Sequence, residues 1–266
     1  MLKDITLGQY YPEDSPIHKL DPRTKLVITF IYIVIIFFVR YYIGYLFILS
    51  FLLLTIFLSR IPLRYVLKGL RPLLFIIIIT FVLNLFFNTG GTVLFRVWKI
   101  TVTREGLRQA IFMALRLIFL VSGSSILTLT TSPIALTDGL ELLLRPLRVI
   151  KFPAHELAMM MTIALRFIPT LLEETDKIMK AQKARGADFE SGNLLQRAKA
   201  LVPLLVPLFI SAFRRADELA MAMEARCYRG GDGRTRMKIL KLSKRDYIAY
   251  GVSSLMVLAV LLNSYL

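Results

Sequence analysis

Few residues in this chain can do chemistry, and most of those are cations. Only His18 and His155 carry an imidazole, and Cys227 is the one thiol. A structural zinc site needs three or four such ligands. A His/Cys metal cluster is therefore set aside, as is a Cys/His nucleophile pair close in sequence. Two carboxylate pairs, Asp138 with Glu141 and Glu173–Glu174, lie in charged surroundings and read as solvated helix faces. The stretch Gly230–Gly231–Asp232–Gly233 is glycine-rich but lacks the spacing and the Lys-Ser/Thr of a P-loop. It reads as a flexible basic loop. No catalytic residue, cofactor or metal is assigned to this chain.

What remains is a repeat. Sliding the chain along itself until Thr170 falls on Ser211 also puts Asp176 on Asp217, Ile178 on Leu219, Ala181 on Ala222, Ala184 on Ala225 and Arg185 on Arg226. Both copies finish in small-x-x-small-Arg and then break, at Gly186 in the first and at Cys227–Tyr228–Arg229–Gly230–Gly231 in the second. Alanines three apart share a helix face and leave it flat. The arginine beside them offers a planar fork for a carboxylate or a carbonyl rim. Alone, Ala-Arg at a helix end is ordinary C-terminal chemistry, because cations favour that end. Two copies on one chain point to docking on a partner with two similar sites, most simply a pair of like subunits.

Two long helices must carry these ends, over about 153–185 and 195–226. Pro169 bends the first, and Pro203 and Pro207 kink the second within an apolar stretch. The rest of the chain is written for lipid. Of 266 residues 56% are hydrophobic, yet the formal net charge is +16. That excess of apolar residues excludes disorder and makes nucleic acid a poor partner for the charge. The apolar runs predict five membrane spans, near 26–39, 43–59, 72–87, 110–129 and 247–262, with a tight turn at Arg40–Tyr41–Tyr42. Ser122–Gly123–Ser124–Ser125 would let helices approach closely. Arg116 reads equally as a functional intramembrane charge and as a snorkelling one. Residues 88–103 read as an interfacial β-hairpin anchored by Trp98.

The expected fold is an all-α integral membrane protein, with about five transmembrane helices and two or three long cytoplasmic or interfacial coupling helices. Three regions follow: 1–130 with four spans, 131–245 as the cytoplasmic coupling region, and 246–266 as the last span. The middle region holds 20 of the 34 basic and 12 of the 18 acidic residues. That bias places it and the N-terminus in the cytoplasm. The segment 1–25 lacks the apolar core of a secretory signal.

The string Asp14–Ser15–Pro16–Ile17–His18–Lys19–Leu20–Asp21–Pro22–Arg23–Thr24–Lys25, with Ala184–Arg185–Gly186 and Ala225–Arg226–Cys227, resembles the transmembrane subunit of energy-coupling factor (ECF) transporters, the CbiQ/EcfT family. The resemblance covers essentially the whole chain. It implies a multi-pass cell-membrane subunit of an ABC-type importer for vitamins or other micronutrients. Two similar or identical cytoplasmic ATPases (EcfA-like) would bind it and use ATP and Mg. A small membrane S component would hold the substrate. It implies that Ala184, Arg185 and Gly186 meet one ATPase and Ala225, Arg226 and Cys227 the other, with Ala181, Ala222 and Arg229 in support. Cys227 stands where the family pattern has glycine, so a left-handed backbone there would be strained. The alternative is a self-contained permease. It would need a polar site at the membrane midplane, for which Asn84, Arg116 and Ser122–Ser125 offer little.

Overall fold

The computed structural model describes residues 10–87, 93–97, 100–189, 193–230 and 240–265. The segment 1–9, Trp98 and most of the glycine-rich basic loop lie outside them. Nine α-helices run in the order α1 (Pro22–Phe38), α2 (Tyr42–Ser59), α3 (Leu63–Leu70), α4 (Leu74–Phe87), α5 (Arg104–Thr130), α6 (Pro133–Leu144), α7 (Ala154–Ala184), α8 (Leu194–Ala225) and α9 (Lys244–Tyr265) among the described residues. Between α4 and α5, β1 (Val93–Val97) pairs antiparallel with β2 (Ile100–Thr103). This is the hairpin the sequence predicts. The regular structure of the described residues is otherwise helical.

Among the described residues, six helical stretches are long and apolar enough to cross a membrane: α2, α3 with α4 as one 25-residue run, α5, α7, α8 and α9. In lipid a helix satisfies its own backbone groups. α1 has 17 residues, about 26 Å at the helical rise and slightly less than a bilayer core. Its short length was visible in the sequence. α7 and α8 enter this set through their apolar N-terminal portions. Their C-terminal portions, from Glu173 and Arg214 onward, are charged.

Two differences from the sequence reading have simple causes. The basic segment 60–71 is not only a connection. It contains α3, whose Val66 and Leu70 are buried one turn apart while Arg64 and Lys68 face outward. The fourth span starts at Arg104, not near residue 110, because Thr103 caps it by accepting from the Gly106 N–H at 3.0 Å. Arg116 is thereby mid-helix, not near the start. Its guanidinium lies 5.5 Å from the centre of the Phe37 ring and 3.9 Å from Met113 Sδ. A cation–π contact thus accompanies the apolar part of the side chain.

The chain divides into two compact units, one holding α7 and α8 and the other α1–α5, most of α6, and α9. In the second, a core of Ile36, Ile48, Ile56, Phe119, Ile126 and Val260 joins α1, α2, α5 and α9. Tyr32 and Tyr45 bury their rings there and spend their hydroxyls on the carbonyls of Phe119 and Phe112, at 3.0 and 3.1 Å. Gly123 lies so close to the Tyr32 ring that any Cβ would overlap it, and Gly69 of α3 has Ser125 of α5 similarly near. The small-residue run thus does allow close approach.

Candidate functional site

The site begins with the prolines of α8. Pro207 has no N–H, so the Pro203 carbonyl loses its helical partner. Gln182 of α7 donates its side-chain amide to that oxygen at 3.5 Å. Further along, the Arg215 guanidinium donates to Glu174 Oε2 at 2.9 Å, which removes Glu174 from any acid–base pair with Glu173. Residues 182 and 174 of α7 therefore meet residues 203 and 215 of α8. The helices run antiparallel through this contact. Glu174 and Arg215 are also one repeat apart, so the repeat's equivalent positions carry opposite charges and bind each other.

An antiparallel contact sends the two C-termini to opposite sides. At 1.5 Å per residue, Arg185 and Arg226 lie up to roughly 40 Å apart along the pair.

Each end then closes in the same way. After Ala184, Gly186 N–H donates to the Lys183 carbonyl and Ala187 N–H to the Gln182 carbonyl, both at 3.0 Å. After Ala225, Cys227 N–H donates to the Glu224 carbonyl at 2.8 Å and Tyr228 N–H to the Met223 carbonyl at 3.0 Å. Both are Schellman motifs, which require a left-handed residue just past the cap. Gly186 fills that place with φ +88° and Cys227 with φ +54°. The backbone geometry anticipated at Cys227 is thus present and held by a non-glycine residue. Arg185 and Arg226 are the cap residues, with near-identical backbones at φ −86°, ψ 5° and φ −91°, ψ 14°.

Around each cap the surface is open. Ala181, Ala184, Arg185 and Gly186 are exposed, as are Ala222, Ala225, Arg226, Cys227 and Arg229. Neither cap guanidinium bonds another described residue. Each presents its donors beside a flat alanine face, with the helix's negative end behind it. The structure therefore forms two equivalent groups, not one cluster.

A second polar constellation escaped the sequence reading. Asp21 caps α1 by accepting from the Arg23 N–H at 2.9 Å and holds the Arg23 guanidinium at 2.7 Å. Its own N–H donates to Asp246 Oδ1 of α9 at 2.8 Å. Asp246, only 1% exposed, also accepts from the Ser243 N–H and hydroxyl, each at 2.7 Å. That is the reciprocal half of a capping box for α9. Lys25 donates its ammonium to the carbonyls of Thr130, at 2.9 Å, and His18, at 3.2 Å. Tyr11 N–H reaches the Leu129 carbonyl at 2.9 Å. The N-terminal string thus ties the starts of α1 and α9 to the end of α5. The only advance signal was its density of charge just before an apolar run.

Elsewhere in the spans, several polar side chains bond back onto their own helices. Asn84 donates to the Thr80 carbonyl and Ser124 to the Leu120 carbonyl, both at 2.8 Å. No group of His, Cys, Asp and Glu suited to a metal ion occurs among the described residues. These features define a multi-pass helical membrane protein with two paired, outward-facing helix ends and no converging catalytic set among the described residues.

Comparison with known proteins agrees. Residues 13–238 match the sequence profile of the CbiQ family, described as cobalt transport protein. The energy-coupling factor transporter transmembrane protein EcfT of Clostridium kluyveri is 66% identical over 250 residues, covering 94% of this chain and 93% of that one. Its counterpart in Thermosediminibacter oceani is 58% identical over the full length of both chains. The counterpart in Bacillus subtilis is 48% identical, with 98% of each covered. The chain belongs to the CbiQ/EcfT family of energy-coupling factor transporter transmembrane proteins, and it is a membrane subunit of a transporter rather than an enzyme.

Proposed function

We propose that this subunit couples two cytoplasmic ABC-type ATPases to a separate substrate-binding S component in the cell membrane. Ala184, Arg185 and Gly186 dock on one ATPase, and Ala225, Arg226 and Cys227 on the other, with Ala181, Ala222 and Arg229 flanking them. ATP and Mg are used by those partners and not by this chain. The observation that carries the reading is the pair of matching Schellman ends, each with a free-standing arginine, set on opposite sides of one helix pair. A partner made of two like subunits offers two like grooves. ATP-driven closure of such a pair would displace the two ends relative to each other, and α7 and α8 would pass the displacement to the S component. The charge of segments 1–25 and 131–245 supports a cytoplasmic placement for both. The substrate's identity belongs to the S component.

The test is the double substitution Arg185→Glu with Arg226→Glu. ATP-dependent uptake is expected to fall about 100-fold or more, with loss of ATPase co-purification, because each reversal removes a charge-assisted fork. Undiminished uptake at normal membrane abundance would overturn the assignment.

A further inference from the structure

The packed unit contains a cavity of about 350 Å³ between α1, α2, α5 and α9, within the size range of small-molecule sites. Its walls are apolar and continuous for about two turns on every helix. They run from Lys25 to Tyr32 on α1, from Leu58 to Phe51 on α2, from Thr130 to Gly123 on α5, and from Arg245 to Val252 on α9. Each of those runs is about 10 Å long. Tyr32, pinned by its hydroxyl to Phe119 and by its ring to Gly123, closes the inner end.

The other end combines Pro16, Ile17 and Leu20 of the N-terminal segment with two cations. Lys25 is 7% exposed and spends two of its three N–H donors on backbone carbonyls, while the Asp246 and Asp21 carboxylates act on its charge from beyond ion-pair distance. Arg245 is exposed and bonds no described residue. Both cations sit where the apolar runs of α1 and α9 begin, so they lie at the depth of lipid headgroups. The rim is open to the bilayer, because Leu54, Ile248 and Val252 line the cavity and are themselves exposed.

We propose that this cavity holds the headgroup-proximal half of one acyl chain of an anionic phospholipid, the rest of the chain leaving through the side open to the bilayer, with the phosphate met by Arg245 and Lys25. An apolar slot two turns deep, with the unpaired Arg245 and the Lys25 ammonium at its mouth, complements that amphiphile better than a zwitterionic one. The lipid would lie against a core in which Leu52, Ile56 and Ile126 already pack at the same level.

The experiment uses the full chain in nanodiscs of equal phosphatidylglycerol and phosphatidylcholine, followed by native mass spectrometry of retained lipid. Phosphatidylglycerol should be retained in preference to phosphatidylcholine. Arg245→Glu, at an exposed position, should lower that preference by about fivefold or more. Ala249→Phe, which fills the slot, should abolish retention of either lipid. If the bulky variant fails to fold, Arg245→Glu decides the matter alone. Equal retention of both lipids by the native chain, or a preference unchanged by Arg245→Glu, would overturn the proposal. So would a photo-crosslinker at residue 249 that labels protein instead of lipid in native membranes.

Discussion

The unit of α1, α2, α5 and α9 and the pair α7/α8 solve opposite problems with the same kind of element. The first buries large apolar side chains on all four helices and locks their ends with Asp21, Lys25 and Asp246. The second buries only Ala154, Ala158 and Leu204 among the described residues of its helices. Its side-chain bonds between helices include Gln182 to Pro203 and Glu174 to Arg215, with Ser211 also bonded to Glu174. One is organised to hold a shape. The other leaves its C-terminal surfaces, including both cap arginines, exposed.

The contrast can be broken most forcefully at Asp246. Asp246→Ala removes the acceptor for the Asp21 N–H and for both Ser243 donors in a buried place, and should cost about 3 kcal/mol. Thermal unfolding in mild detergent should show it as a large drop in Tm, and an unchanged Tm would mean the network is ornamental. Gly123→Ala comes next, at about 2 kcal/mol, because the Tyr32 ring must move to admit a methyl into a filled core. The same assay reads it, and Tyr32→Leu should restore much of the loss.

On the other side of the comparison, Cys227→Gly should stabilise slightly. Glycine relieves the left-handed penalty at φ +54° but adds freedom to the unfolded chain. The balance is a gain of about 0.5–1 kcal/mol, with ATPase co-purification kept. Gly186→Ala should move the first end in the opposite direction by a similar amount.

The smallest effect is a pH dependence at His18. Its Nδ1 accepts from the Ser15 hydroxyl at 2.7 Å, and its Nε2 meets the Tyr11 carbonyl at 3.0 Å. Burial holds its pKa below the ordinary 6.5. The fold thus favours the neutral ring. The stability it contributes is complete above about pH 6.5 and is lost as pH falls through the lower folded value. Tm measured from about pH 7.5 to about pH 5.5 should decline in the native chain and decline less in His18→Gln.

The spans α2, α4 and α9 could be read directly, because uninterrupted apolar runs leave a chain few alternatives. α3 could not. Arg60, Arg64 and Lys68 recur once per turn and mask the two buried residues, Val66 and Leu70, on the other face. The paired helix ends were readable because Ala-x-x-Ala-Arg is written twice. The antiparallel contact that separates them was not, since it depends on a carbonyl freed by Pro207. The Lys25 network was hidden for a similar reason. Its acceptors are backbone oxygens, which residue types do not reveal, and the carboxylate of Asp246 that completes it lies near the other end of the chain.

That separation also bears on how the protein is made. The bond from Asp21 to Asp246 spans 225 residues, so the first helix is synthesised long before its last partner exists. Until α9 is inserted, the start of α1 lacks that buried acceptor, and the segment carrying α7 and α8 must already have been threaded past. Completion of this unit is therefore timed by the final helix. A chain that stops short of α9 would expose an unfinished polar end at the membrane surface, where quality-control proteases could recognise it.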